Sequence, residues 1–202
     1  MKKHKRGTIW IRLGIGLIIC AMLLTAYNLL QDYRGKKLSG KALESLETEI
    51  DQKDIPLYQL YPDMEMPVKI IDGIGYIGIL EIPDFDLRLP VIHQWSYPNL
   101  KIAPCRYQGT AYKKDFIIAG HNFYSHFSRL KNLEPGSKVK FTDMAGNVFL
   151  YQVTDLETIP GTEVEEMEAG EWDLTLFTCS YGGQNRAAIR CAMIQTNEVR
   201  SP

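Results

Sequence analysis

Four basic residues, Lys2, Lys3, Lys5 and Arg6, precede an apolar run from about Thr8 to Leu30. That run constrains the chain more than any other feature. In hydrocarbon every backbone N–H and C=O must be satisfied within the segment, so a lone spanning stretch is a helix. Roughly 20 apolar residues cross a bilayer, and residues 8–30 are enough. The one charge inside, Arg12, lies near the basic end, where a long side chain snorkels to the interface. A cleaved signal peptide is the competing reading. Its apolar region is roughly 7–15 residues long and ends in a small-x-small site. Ala26-Tyr27-Asn28 matches such a site poorly, so the run is read as an uncleaved transmembrane anchor. Basic residues also follow it, at Arg34, Lys36, Lys37 and Lys41. The N-terminal cluster is denser and abuts the helix, which leaves residues 1–7 as a cytoplasmic tail and the rest of the chain outside.

Residues 31–72 read as a juxtamembrane helix and linker that holds a domain off the membrane surface. Leu38, Leu43, Leu46 and Ile50 recur at roughly helical spacing, and Pro56, Pro62 and Pro67 then break any regular element. From Gly73 to the end at 202 the pattern turns short and β-like. Strands are expected at Tyr76–Ile82, Leu87–Ile92, Phe116–Ala119, Lys138–Thr142, Val148–Val153, Leu174–Thr178 and Ala187–Ile194. Asp143 to Asn147 is a hairpin signal between two of them. Strand-like segments this short and frequent point to an antiparallel barrel or sandwich. Helical signal is limited to a turn or two at Phe127, Leu130 and Leu133, stopped by Gly136, and a short acidic helix over 163–169 before Gly170.

With 23 basic and 24 acidic residues the formal net charge is -1, which lacks the basic excess of a nucleic-acid binder. Four cysteines are present, and Cys20 lies within the apolar run. Three remain, so at least one thiol of the soluble part is unpaired within the chain. The count allows a Cys105–Cys191 bridge, but two buried free thiols are the preferred reading.

Cys179 ends a strand, His121 follows another, and Arg186 opens a third. A thiol attacks only as thiolate and needs a base or cation beside it. His121 is the best-placed imidazole, since His93 runs into a loop and His126 starts a short helical turn. Period-two alternation puts Cys179 on one face with Phe177 and Thr175, and Arg186 on one face with Arg190, about 13 Å further along at ~3.3 Å per residue. Each residue alone has a blander reading: a strand-end cysteine is usually inert packing, and a strand arginine is usually a solvated edge. His121, His126 and Cys179 also form an incomplete zinc set, rejected because no compact fourth ligand exists.

At these residues the chain resembles the sortase family, the membrane-anchored cysteine transpeptidases of Gram-positive bacteria. Thr175-Leu176-Phe177-Thr178-Cys179 matches the family's TLxTC signature. Ala119-Gly120-His121-Asn122 is similar to the segment bearing its catalytic histidine, and Phe127, Leu130, Leu133 and Gly136 continue that likeness. Arg186 opens an R-x-x-[VI] strand like the one bearing the family's arginine, and Gly75 to Pro83 looks like its first barrel strand. The resemblance spans about residues 73 to 195.

The resemblance implies a closed eight-stranded β-barrel with short helices. It implies cleavage of an LPxTG-like sorting signal on a secreted protein through a thioacyl enzyme. The acceptor would be the amine of a peptidoglycan precursor or of a pilin lysine, and no cofactor or metal is called for. Cys179 would be nucleophile, His121 acid and base, and Arg186 oxyanion partner. Thr178, Arg190 and Asn122 are candidate substrate contacts. Asn122 stands where many members carry arginine, which leans towards class B or class D relatives. The six residues between Cys179 and Arg186 are too few for the long helix of class B, and the class stays open. Two other readings are a thioacyl-hydrolysing cysteine protease and a tethered binding domain without activity. Papain-like enzymes carry cysteine before histidine, the reverse of the order here. The stretches 93–112 and 155–172 flank the catalytic strands and are the expected specificity loops.

Overall fold

The computed structural model describes residues 4–48, 50, 56–169, 172–180 and 182–194. Lys2 and Lys3, part of the linker, Gly170 and the chain from 195 onward lie outside the described residues.

Nine strands form one sheet: β1 (Lys69–Ile71), β2 (Ile74–Ile82), β3 (Leu87–Ile92), β4 (Cys105–Gln108), β5 (Phe116–Gly120), β6 (Lys138–Asp143), β7 (Val148–Pro160), β8 (Leu174–Cys179) and β9 (Asn185–Met193). The sheet order is β1-β2-β3-β4-β5-β8-β9-β7-β6, and β2 also pairs with β6. That second pairing closes β2 to β9 into the expected eight-stranded barrel. The ninth strand, β1, is a short flange hairpinned onto β2. It falls in the segment read as linker, so the sheet begins upstream of residue 73. All seven strands expected from the pattern are present. The four-residue β4 and three-residue β1 are too short to show a period.

Closure has a steric condition. β2 carries its register shift between Tyr76 and Gly78, where it pairs with β3 on one side and β6 on the other. A Cβ on Gly78 would sit 2.2 Å from the Thr142 carbonyl oxygen and 2.9 Å from the Asp143 Cα. Only a bare Cα lets the two backbones meet. The following turn is stapled by buried Asp143, whose carboxylate accepts from the backbone N–H groups of Ala145 and Asn147 and from the Tyr112 hydroxyl at 2.6 Å. The barrel interior is filled by Ile77, Phe116, Ile118, Phe141, Tyr151, Leu174, Leu176 and Ile189, all at most 1% exposed.

The N-terminal element differs from a stalk. One continuous helix, α1 (His4–Glu47), contains both the apolar run and the juxtamembrane segment. Among the described residues its apolar part from Trp10 onward is exposed: Trp10, Leu17, Met22 and Leu29 are all 65–69% exposed. It is long and apolar enough to cross a membrane. Its last turns instead lie on the barrel wall. The contact stripe is Gly35, Ser39, Ala42 and Leu46, at i, i+4, i+7 and i+11, while Leu38 is 48% exposed. Small residues at the first three positions let the helix backbone approach closely. Of the aliphatic positions in the sequence pattern, Leu46 is buried and Leu43 and Ile50 pack against the same core, while Leu38 faces outward. Arg88 ties Glu47, in the last turn of α1, to the barrel surface.

Beneath α1 and the loop after β5 lies His126, fully buried, with neither ring nitrogen hydrogen-bonded among the described residues. Burial, aided by neighbouring His121, pushes its pKa down to about 4. All four cysteines are free, and Cys105 and Cys191 are separately buried rather than bridged.

Two consequences are measurable. Gly78→Ala should lower the unfolding free energy by about 2 kcal/mol or more, read as a shifted denaturant midpoint, because overpacking costs ~1–3 kcal/mol. An unshifted midpoint would mean that β2 and β6 can separate freely. Acid should also weaken the fold. His126 titrates near 6.5 when unfolded and about 4 when folded. Between those values the unfolded chain binds more protons, so stability falls as pH drops through that window, by about 3 kcal/mol from this residue. Unfolding curves at several pH values should show a shallower loss in His126→Leu than in the wild type; equal slopes would assign the acid sensitivity elsewhere.

Candidate active site

Three adjacent strands bring the three sequence candidates to one end of the barrel. β5 and β8 run parallel, with Gly120 opposite Thr178. The next residue along β5 is His121, and the next along β8 is Cys179. β9 returns antiparallel, and its register places Arg186 directly opposite Cys179. Directly opposed residues of an antiparallel pair project to the same face. The alternation along each strand then assigns that face. Phe116, Ile118, Leu174 and Leu176 fill the barrel interior. Ile117, Ala119 and His121, like Thr175, Phe177 and Cys179, therefore belong to the outer wall.

A groove runs over this wall. Its floor is Ala119, Gly120, Phe177, Cys179 and Arg186. One bank is Trp95, Tyr97, Leu100 and Tyr107, around the short helix α3 (Tyr97–Leu100). The other is Pro160, Gly161, Glu163, Val164 and Met167, leading into α4 (Val164–Glu168). α2 (Leu57–Leu60) lies outside it. Both stretches expected to flank the site, 93–112 and 155–172, thus line the groove. An aromatic chain crosses its floor: Trp95 packs edge-on to Tyr107 at 6.0 Å, and Tyr107 edge-on to Phe177 at 5.3 Å. Cys179 is part-exposed at the end of this apolar floor.

His121 is seated by its neighbours rather than by hydrogen bonds. Gly120 is needed before it, because a Cβ there would lie 2.1 Å from the Phe127 ring. The backbone N–H of Phe127 then donates to the His121 carbonyl. The imidazole stacks on Phe123, with ring centroids 3.8 Å apart and planes 19° from parallel. Its Nδ1 is buried without a partner among the described residues. Burial, and then the Lys101 charge, hold its pKa below the ordinary imidazole value, so the neutral form prevails at neutral pH. Among the described residues no hydrogen bond joins the ring to Cys179. His93, the alternative imidazole, ends against Arg106, which donates to the His93 carbonyl.

The two arginines separate clearly. Arg186 donates from Nη1 to the carbonyls of Gly183 and Asn185. Among the described residues its Nε and Nη2 carry no hydrogen bond, and the guanidinium borders the groove. Arg190, expected as a substrate contact, is 2% exposed. Its Nε meets Glu157 at 2.9 Å, its Nη1 donates to Thr175 and the Met167 carbonyl, and its Nη2 donates to the Glu166 carbonyl. Four of its five N–H donors are taken, so it clamps α4 to the wall. Thr178 is likewise turned away. It shares the interior face with Leu174 and Leu176, is 4% exposed, and its Oγ1 has no partner among the described residues. Asn122 is half-buried beside His121; neither side chain lines the groove, which reaches the strand end at Gly120. Sequence reasoning missed the groove's aromatic bank. Trp95, Tyr97 and Tyr107 carry no periodic signal, and only the fold brings them to Cys179. Among the described residues no cluster of three or more metal-ligating side chains is present.

Comparison with known proteins agrees with this architecture. The Sortase domain family matches residues 80–194. No curated protein matches the chain. Among solved structures, a Clostridium perfringens sortase D5 transpeptidase superposes with a TM-score of 0.60 at 17% identity, covering 78% of this chain and 99% of its own. Sortase A from Corynebacterium diphtheriae gives 0.53 at 17% identity, covering 89% and 97%. Streptococcus pneumoniae sortase C gives 0.54 at 19% identity, covering 82% and 89%. At these identities the likeness is one of fold. The family match extends over more than half of the chain and includes the strands that carry His121, Cys179 and Arg186, so the chain belongs to the sortase family.

Proposed function

We propose that this sortase cleaves an LPxTG-like sorting signal on secreted proteins and joins the new C-terminus to an amine. The observation that carries the proposal is the register of β5, β8 and β9, with Cys179 opposite Arg186 and His121 following the strand beside them. Cys179 attacks the carbonyl of the scissile peptide bond. His121, neutral at rest, takes up a proton and delivers it to the departing amine. The C–N bond breaks, a thioester remains on Sγ, and the C-terminal fragment leaves. In the second half an incoming amine loses its proton to His121, attacks the thioester and regenerates the thiol. The acceptor is the amine of a peptidoglycan precursor or of a pilin lysine. Arg186 offers Nε and Nη2, which carry no hydrogen bond among the described residues, to the oxyanion formed in both halves, on a wall that α3 and α4 partly shield from water. The aromatic and aliphatic side chains of the banks suit the apolar residues and proline of such a signal, since they offer flat apolar contact. Residues 8–30 hold the enzyme in the membrane as a single-pass anchor, with residues 1–7 in the cytoplasm and the barrel outside.

The test is to incubate the full chain, in detergent, with a sorting-signal peptide and an amine, and to weigh the products by mass spectrometry. An amide-linked product is expected. Acid product alone would make the enzyme a hydrolytic protease, and no product would leave a binding domain. Cys179→Ala should abolish turnover with an unchanged melting temperature, because a part-exposed strand-end thiol contributes little packing; turnover in that variant would remove Cys179 from the mechanism. The arginines should separate in kind. Arg186→Ala should lower kcat/KM by ~10²–10³-fold, as loss of an oxyanion donor does, with little change in stability. Arg190→Ala should instead destabilise the protein by about 2–4 kcal/mol by removing charge-assisted hydrogen bonds of a buried group. The reverse pattern would exchange their roles.

A further inference from the structure

The juxtamembrane part of α1 and the proposed acid–base residue are joined by a short series of contacts. Asp32 Oδ1 accepts from the backbone N–H of Ser125 at 3.1 Å and from its hydroxyl at 2.8 Å. These bonds tie the helix to the loop that follows His121. One turn on, Gly35 lies against the same loop. A Cβ there would be 3.1 Å from the Phe123 ring and 3.1 Å from the Lys101 carbonyl oxygen. The helix backbone therefore lies close on Phe123, and any side chain at this position would have to displace the ring or the helix. The same ring stacks on His121 at 3.8 Å.

The stack matters because little else orients the imidazole. Among the described residues Nδ1 has no hydrogen-bond partner, so none of their carboxylates or carbonyls holds it as one does in many catalytic histidines. An aromatic plane behind the imidazole restricts its rotation and keeps water from that face. The loop backbone reinforces the seat: Phe123 accepts at its carbonyl from the N–H groups of His126 and Ser128.

We infer that Phe123 is a positioning residue for His121, and that Asp32 and Gly35 of the anchor helix hold Phe123 in place, so that catalysis depends on how α1 is seated on the barrel. This deepens the transpeptidase reading and rests on it only for the role of His121. The stack is not mere packing. A contact that only filled space would leave the imidazole's titration and the chemical step unmoved when altered. The charged and titratable groups around His121 are Lys101 after α3, His126 in the loop, Asp32 on α1, and Cys179 and Arg186 on the neighbouring strands.

The experiment uses the full chain in detergent micelles, with two readouts. The first is the titration of His121 by NMR of labelled imidazoles. The chain has only four histidines, and the signal lost in His121→Gln makes the assignment. The second is the split between kcat and KM for joining a sorting-signal peptide to an amine. Phe123→Leu should release the ring to water, move its titration up towards the ordinary imidazole value, and lower kcat roughly tenfold or more with KM little changed. Phe123→Tyr keeps the aromatic plane and should keep both readouts. Gly35→Leu and Asp32→Ala alter the contact from the helix side without touching the loop, and each should reproduce the Phe123→Leu titration. Asp32→Ala adds no bulk and serves if Gly35→Leu does not fold. Wild-type titration of His121 in both Phe123→Leu and Asp32→Ala overturns the inference, whatever their melting temperatures. If the titration moves but no variant and not even the wild type joins peptide to amine, the positioning contact stands and the assigned reaction falls.

Discussion

The site depends on the ladder that runs β5-β8-β9. Parallel pairing of β5 with β8 brings two C-terminal strand ends to the same rim, and antiparallel return of β9 brings a strand start to meet them. No hydrogen bond between the three side chains holds them together. Main-chain register does, and register changes only in whole steps. A slip of one residue would turn Cys179 into the interior and present Thr178 to the groove. Barrel closure through Gly78 guards that register, because a closed ring has no free edge along which a strand can slide.

Placing the chemistry on the outer wall has its own logic. The interior is packed with Phe116, Phe141, Tyr151 and aliphatic side chains and has no room for a peptide. The outside is accessible but wet, so it must be walled. α3 and α4 supply the walls, and Arg190 is the fastening for one of them. Arg186 and Arg190 share a face four residues apart, and their fates differ only because α4 lands on the second. A guanidinium whose Nε and both terminal nitrogens are hydrogen-bonded, two of them to carbonyls of α4, is spent on structure. One with an unused edge at the rim remains free for chemistry.

The anchor helix joins the same argument. It continues unbroken from the apolar run onto the barrel, so the linker at 31–47 is part of the domain's packing rather than a spacer. Three small residues, Gly35, Ser39 and Ala42, let it sit close, and the loop beneath carries His121. In this way the helix that carries the apolar run also borders the loop that follows His121.

The sequence by itself determined the apolar helix, seven of the nine strands, the TLxTC strand ending in Cys179, and the adjacency of His121 and Arg186 to strand ends. These follow from local rules: length in an apolar run, alternation with period two, and turn residues between strands. Tertiary structure decided which arginine is free, since burial of Arg190 depends on where α4 docks. It decided that Thr178 faces inward, which turns on where the wall lies and not on spacing. It also assembled the aromatic bank of Trp95, Tyr97 and Tyr107, and it brought Gly35, Ser39 and Ala42 of α1 into the contact alongside Leu46 while leaving Leu38 outside. Each of these is a contact between segments distant in the chain, set by sheet order and docking, and local pattern carries no record of either.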